Sequence, residues 1–210
     1  MKKFILPLLV LLFVGSLFAV ESDPSEVVGY VKYDLVAGLN LVALPLNNNY
    51  ATTTDLSDAY PTITSIQKWT GNSWYAVNFD PDFGWDDEFA LDNTSVLFVA
   101  AEGAVSMYSL GPVPASIPQF DLAVGLNTIF LPLNKSAITN TELLGMEIPE
   151  ISSIQKWSGD SWYAVNYDPD FGWDDQFDLS IGFPIFVGLD SATAPWPSSG
   201  TRSGVIRTSK

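Results

Sequence analysis

The sequence predicts an all-β fold built from two tandem copies of one small sandwich or barrel domain, with at most one short helix per copy. Three observations predict it. The chain repeats itself at a spacing of 87 to 88 residues. Its apolar segments are short, rich in β-branched and aromatic residues, and bounded by turn residues. It has no cysteine, so its own core must hold it together without disulfides.

The repeat sets the organisation. GLNLVALPLN begins at Gly38 and GLNTIFLPLN at Gly125, 87 residues on. SIQKW begins at Ser65 and again at Ser153, 88 apart. Between residues 65–89 and 153–177 only four of 25 positions differ, while the flanks have drifted much further. Duplication alone leaves similarity even along a repeat, so this block has been held or homogenised. The domain plan is residues 1–19 as signal peptide, 20–112 and 113–197 as the two β domains, and 198–210 as a basic tail.

The elements follow in order. Residues 27–35, VVGYVKYDL, read as a strand, and NLVALP is a second one after a Gly-Leu turn. TTTDLSDAY from Thr52 is a short helix candidate. Its counterpart is ITNTELLGM, with Thr139 or Asn140 as N-cap. ITSIQKW alternates, placing Ile63, Ser65, Gln67 and Trp69 on one face. Gly71-Asn72 between Trp69 and Trp74, and Gly159-Asp160 between Trp157 and Trp162, are hairpin centres. SWYAVN is the return strand. SVLFVAA and AVSMYSL close the first copy, and FPIFVGL and TAPWP close the second. The linker GPVPASIP is short and stiffened by proline.

The N-terminus predicts export. Lys2 and Lys3 precede an apolar run from Phe4 to Val14, and small residues lead to Ala19. That is a secretory signal, too short and too proline-broken to span a bilayer. The mature protein is expected in the periplasm, at the cell surface or outside the cell, with no membrane insertion after the signal is removed. Composition then excludes several chemistries. Without histidine there is no Ser-His-Asp or Cys-His system, and without histidine and cysteine no ordinary zinc site. The chain carries 24 Asp+Glu against nine Lys+Arg, a net charge of −15, or −17 once Lys2 and Lys3 leave. Such a surface does not suit nucleic acid.

The most distinctive motif is DPDFGWDDEF from Asp80, repeated as DPDFGWDDQF from Asp168. Asp80, Asp82, Asp86 and Asp87, with Asp168, Asp170, Asp174 and Asp175, are candidate calcium ligands. Calcium takes six to eight hard oxygens, and Asp-x-Asp spacing suits a wrapping loop. The EF-hand pattern is not met, since Gly84 is at the fifth position of the run and no glutamate stands at the twelfth. The alternative is an Asx-turn loop whose path is set by Pro81 and Gly84. Trp74, Tyr75, Trp85, Trp162, Tyr163 and Trp173 are candidate sugar-stacking residues, with core packing as the other reading. A glycosidase needs a matched carboxylate pair. Glu88 becomes Gln176 in the second copy, and an 88-residue domain leaves little room for a cleft.

After Ser198 the tail is Ser/Gly-rich, then carries Val205 and Ile206 among Arg202, Arg207 and Lys210. It reads either as a loose terminus or as a strand that adds to the sheet edge of a neighbouring molecule.

The GLN-x-x-x-LPL openings, the IQKW segments and the SWYAV return strands resemble a β-rich repeat of exported bacterial proteins. Those units open with Gly-x-Asn-Leu-Val/Ile-x-Leu-Pro-Leu and carry a central Trp…Trp hairpin. The resemblance covers most of residues 28–197. It implies export and a surface or extracellular setting, and it brings no catalytic residues. The acidic loop departs from it. The expectation is therefore a non-enzymatic, self-associating structural or surface protein with calcium as its candidate ion. The alternative is a module that binds extracellular glycans.

Overall fold

The structure is a computed structural model and describes residues 27–198. The expected signal peptide, and the expected tail beyond Ser198, lie outside the described residues.

The chain is mostly β, in two similar antiparallel groups. The first copy runs β1 (Val28–Leu35), β2 (Gly38–Ala43), α1 (Thr53–Ala59), β3 (Ile63–Trp69), β4 (Trp74–Asp80), β5 (Gly84–Trp85), β6 (Val96–Ala101) and β7 (Val105–Pro112). The second runs β8 (Gly125–Phe130), α2 (Thr141–Glu147), β9 (Ile151–Trp157), β10 (Trp162–Asp168), β11 (Gly172–Trp173) and β12 (Pro184–Leu189). Each copy forms one five-stranded sheet, in the orders β2-β6-β3-β4-β5 and β8-β12-β9-β10-β11. Beside the first sheet, β1 and β7 pair as a separate two-stranded ribbon.

In the second copy that ribbon shrinks to a single bridge, Phe120 with Trp196, in the place of the first copy's Tyr33–Met107 pair. TAPWP is thus no full strand. Its two prolines lack the amide donors a ladder needs, and the segment is held by the buried Trp196 instead. The architecture is sandwich-like: in the first copy the ribbon packs on the five-stranded sheet through Leu35 and Met107, and the two five-stranded sheets also meet across the copies.

Local chemistry explains the repeat's landmarks. The GLN opening is a turn lock. Gly38 and Gly125 sit at φ 97° and 94°, a region that favours glycine. The Asn40 side chain accepts from Val36 N at 2.9 Å and donates to Val36 O at 2.8 Å and Gly38 O at 2.9 Å. Asn127 repeats all three bonds with Ala123 and Gly125. Helix α1 starts from a capping box between Thr52 and Asp55, and α2 from the Asn140 side chain bonded to Leu143 N.

Alternation along β3 is interrupted by a bulge between Ile63 and Ser65. The one-face expectation for Ile63, Ser65, Gln67 and Trp69 therefore fails at Ile63. The extra residue turns Ile63 to the same side as Ile66, and both enter the first copy's core. That core gathers Val42, Leu97, Val99 and Val77 from the sheet, with Leu56 of α1 and Leu35 and Met107 of the ribbon. The second copy builds an equivalent core around Ile129, Ile154, Val165 and Val187. It also takes in Ala43 and Val96 of the first copy, so the two cores meet.

Candidate functional site

The duplicated block spans β3 to β5 and β9 to β11, and period-two alternation divides it between two faces. On one face lie Trp69 and Trp74, a directly opposed pair across the hairpin, with Phe98 of β6 beside them. Trp157, Trp162 and Phe186 match them in the second copy. The two sets pack against each other. Phe98 meets Trp157 at 5.5 Å, Trp162 at 5.7 Å and Phe186 at 6.3 Å between ring centroids, and Trp74 meets Phe186 at 5.8 Å. The indole of Trp69 donates to Leu126 O at 2.8 Å, and that of Trp157 donates to Leu39 O at 2.8 Å. Leu39 and Leu126 are the same repeat position. The joint is thus reciprocal, each copy giving the other the same bond.

The second face carries the acidic loop's anchor. The ammonium of Lys68 lies 4.3 Å from the ring centre of Phe89 and 5.8 Å from that of Tyr75. The Tyr75 hydroxyl donates to Asp87. Lys156, Phe177, Tyr163 and Asp175 repeat the set, with ring distances of 4.4 and 5.2 Å. These are cation–π contacts on half-buried lysines.

The carboxylates are spent on the loop itself. Asp80 accepts from Asp82 N at 2.8 Å and Phe83 N at 3.2 Å, closing an Asx turn, and Gly84 takes φ 81°. Asp86 accepts from Asn78 N at 2.8 Å and its side-chain amide at 3.3 Å. The Asn78 N–H draws Asp86 below the usual carboxylate range, and the Tyr75 hydroxyl does the same to Asp87. The paired carboxylate in turn raises Tyr75. The second loop repeats each bond through Asp168, Asp174 and Asp175. Among the described residues no group of three or more Asp or Glu side chains is placed to hold a metal ion. Asp80, Asp82, Asp86 and Asp87 are therefore not gathered round a common point, nor are Asp168, Asp170, Asp174 and Asp175. The Asx turn of the alternative reading is present at Asp80 and Asp168.

The six stacking candidates separate as well. Trp74 and Trp162 join the inter-copy cluster, yet stay 41% and 43% exposed. Tyr75 and Tyr163, their strand neighbours, point to the opposite face. Trp85 and Trp173 lie half-buried on β5 and β11, against Phe79 and Tyr167 at 5.8 and 5.5 Å. Trp173 alone floors a cleft of about 360 Å³, walled by Glu142, Met146, Pro149 and Tyr167. Gly145 makes room for it, since a Cβ there would come within 2.4 Å of the indole.

Three features escaped the sequence reading. Phe98 and Phe186 hold the centre of the joint. Their signal was present: Phe-Val is all that VLFVAA and PIFVGL share, at the 88-residue spacing. Lys68 and Lys156 act as ring-capping cations. Phe83 and Phe171 project from the loop tips, 89% and 90% exposed.

The geometry also accounts for the tryptophan part of the held block. Its four differences, Thr70/Ser158, Asn72/Asp160, Phe79/Tyr167 and Glu88/Gln176, all fall on exposed residues. Even there the chemistry survives at the turn. Thr70 and Ser158 both donate to the carbonyl three residues on, at 2.9 and 2.8 Å. A reciprocal joint constrains the tryptophan face of both copies alike. Comparison with family models, curated proteins and solved structures finds no match.

Proposed function

We propose that this chain is a non-catalytic, exported structural or surface-associated protein that self-associates. One observation carries the reading: the outward face of the β1–β7 ribbon. Val28, Tyr30, Tyr108 and Leu110 lie together there and are all exposed. The Tyr30 and Tyr108 rings meet at 6.2 Å between centroids, tilted by 59°. Neither outer edge of the ribbon has a strand partner among the described residues. The outer edge of β7 is capped within the chain, by the Tyr60 hydroxyl that accepts from Tyr108 N at 2.8 Å and by Asn47 N that donates to Pro112 O at 3.0 Å. A two-stranded ribbon with an exposed apolar patch and an unpaired β1 edge is a surface that proteins cover, and a second ribbon of the same kind fits it. The body's acidity opposes close approach, so a divalent cation shared between molecules favours assembly. In that role calcium bridges loop-tip carboxylates of two chains rather than filling a site in one.

The test is the solution mass of the mature protein by light scattering, with calcium and then with chelator, beside Tyr30→Ser/Leu110→Ser. Both residues are exposed, so the variant keeps its fold. Assembly in the wild type and a monomer in the variant are expected. A wild-type monomer at every concentration, with and without calcium, refutes the proposal. Loss of assembly in chelator alone assigns the ion its bridging part.

A second reading, glycan binding, draws on the Trp173 cleft. An open indole beside Tyr167 and the Glu142 carboxylate supplies a stacking face and a hydroxyl acceptor. A sugar array read by tryptophan fluorescence tests it. Saturable binding lost in Trp173→Ala supports it, and no binding across the array removes it.

A further inference from the structure

The joint between the copies is self-complementary and is tied by one linker. Each copy has its own sheet, its own helix and its own core. Each presents the same hydrogen-bonding pattern: one indole donor, Trp69 or Trp157, and one accepting carbonyl, Leu39 or Leu126. Nothing in that pattern distinguishes a copy on the same chain from a copy on another. We infer that the first copy of one molecule pairs with the second copy of another through this joint, exchanging domains to form closed dimers and longer open chains. The inference rests on the self-association reading and deepens it, by naming a second contact that is independent of the ribbon.

Two further observations choose the partner and the route. The rim of the joint is asymmetric in size. Ala43 stands where the second copy has Phe130, and the small residue is buried in the same cluster as the large one. Small against large packs better than large against large, so a first copy prefers a second copy. The connection from Pro112 to Phe120 holds Pro114 and Pro118, with Ala115 and Ser116 exposed between them. A short, stiff hinge between two separately cored units is the setting in which exchange occurs. It also limits how often exchange wins. A tethered copy competes at an effective concentration of about 1 mM. Refolding at ~0.1 mM then leaves roughly one chain in ten exchanged, and the ratio rises in proportion to concentration.

The experiment unfolds the mature full chain, refolds it at low and high concentration, and measures mass after dilution to one common concentration. The Tyr30→Ser/Leu110→Ser chain is treated in parallel. Expected are dimers and longer species that rise about tenfold relative to monomer per tenfold in refolding concentration. They persist on dilution, keep the monomer's tryptophan spectrum and form equally in the ribbon variant. Deleting Ala115 and Ser116 shortens the hinge and shifts the population to dimers at low concentration. If that deletion fails to fold, the concentration series decides. Monomer under every condition overturns the inference. So do assemblies with an altered tryptophan spectrum, and assemblies that dissolve on dilution and vanish in the ribbon variant. The last outcome leaves ribbon association standing.

Discussion

Replacing Phe98 by alanine strikes the joint at its centre. Phe98 is 5% exposed and touches Trp74, Trp157, Trp162 and Phe186, with ring separations from 5.3 to 6.3 Å. Removing a buried phenylalanine ring costs about 3–5 kcal/mol when the cavity cannot collapse. Here collapse is resisted, because the surrounding indoles are held by their own strands and two of the cluster's indoles by carbonyl bonds. For a chain of this size each kcal/mol lowers Tm by about 2–4 °C, so a fall of about 6–20 °C is expected. Because each copy keeps its own core, the loss falls on their coupling, and unfolding splits into two transitions. Phe186→Ala behaves alike. The double variant costs less than the sum of the two, since the rings share one cavity. Thermal and urea unfolding, followed by near-UV circular dichroism, measure all of this. A loss below about 1 kcal/mol with unchanged near-UV signal refutes the packed joint.

Three further outcomes follow from the same geometry. Trp69→Phe and Trp157→Phe each remove one indole donor and leave a carbonyl unpaired, costing about 1–3 kcal/mol apiece in urea unfolding. Unequal losses between the two contradict the reciprocity. Asp87 and Asp175 are held below the ordinary Asp value of 3.8 by the Tyr75 and Tyr163 hydroxyls. Their contribution is complete above that value and is lost as pH falls through the lower folded one. Tyr75→Phe/Tyr163→Phe therefore flattens the acid limb of the stability curve, and parallel curves count against it. Gly145→Ala gains about 1 kcal/mol of helix propensity but drives a Cβ into Trp173, costing about 1–3 kcal/mol. A net loss and a shifted tryptophan emission are expected, whereas a stabilised protein shows that the indole moves freely.

Much of the fold was legible because local signals agreed. The Gly71 and Gly159 hairpins, the Asn140 cap and the two short helices each follow from a few residues. The bulge after Ile63 was not legible, since an inserted residue in a β-branched run leaves no mark on composition. The packing of one copy's sheet on the other's was hidden for a different reason. A face that packs on its own copy and one that packs on the twin look alike in sequence, both apolar. The site reading suffered most where it ignored alternation: Trp74 and Tyr75 are neighbours in the chain and therefore opposites in space. The bonds of Asp80 and Asp86 to their own loop were not legible from the carboxylates alone, because a charge-rich loop and a loop bonded to its own amides are written with the same letters.

The reciprocal joint has a consequence for inheritance. A change at Trp69 removes a bond that the second copy receives, and a change at Trp157 removes its mirror image. Neither half is free to wander as a spare, although duplication usually grants that freedom. Within the held block drift is confined to the outer skin, where Thr70/Ser158 and Glu88/Gln176 have already parted. New roles arising in this lineage should first be written there, in the turns and loop flanks of one copy at a time.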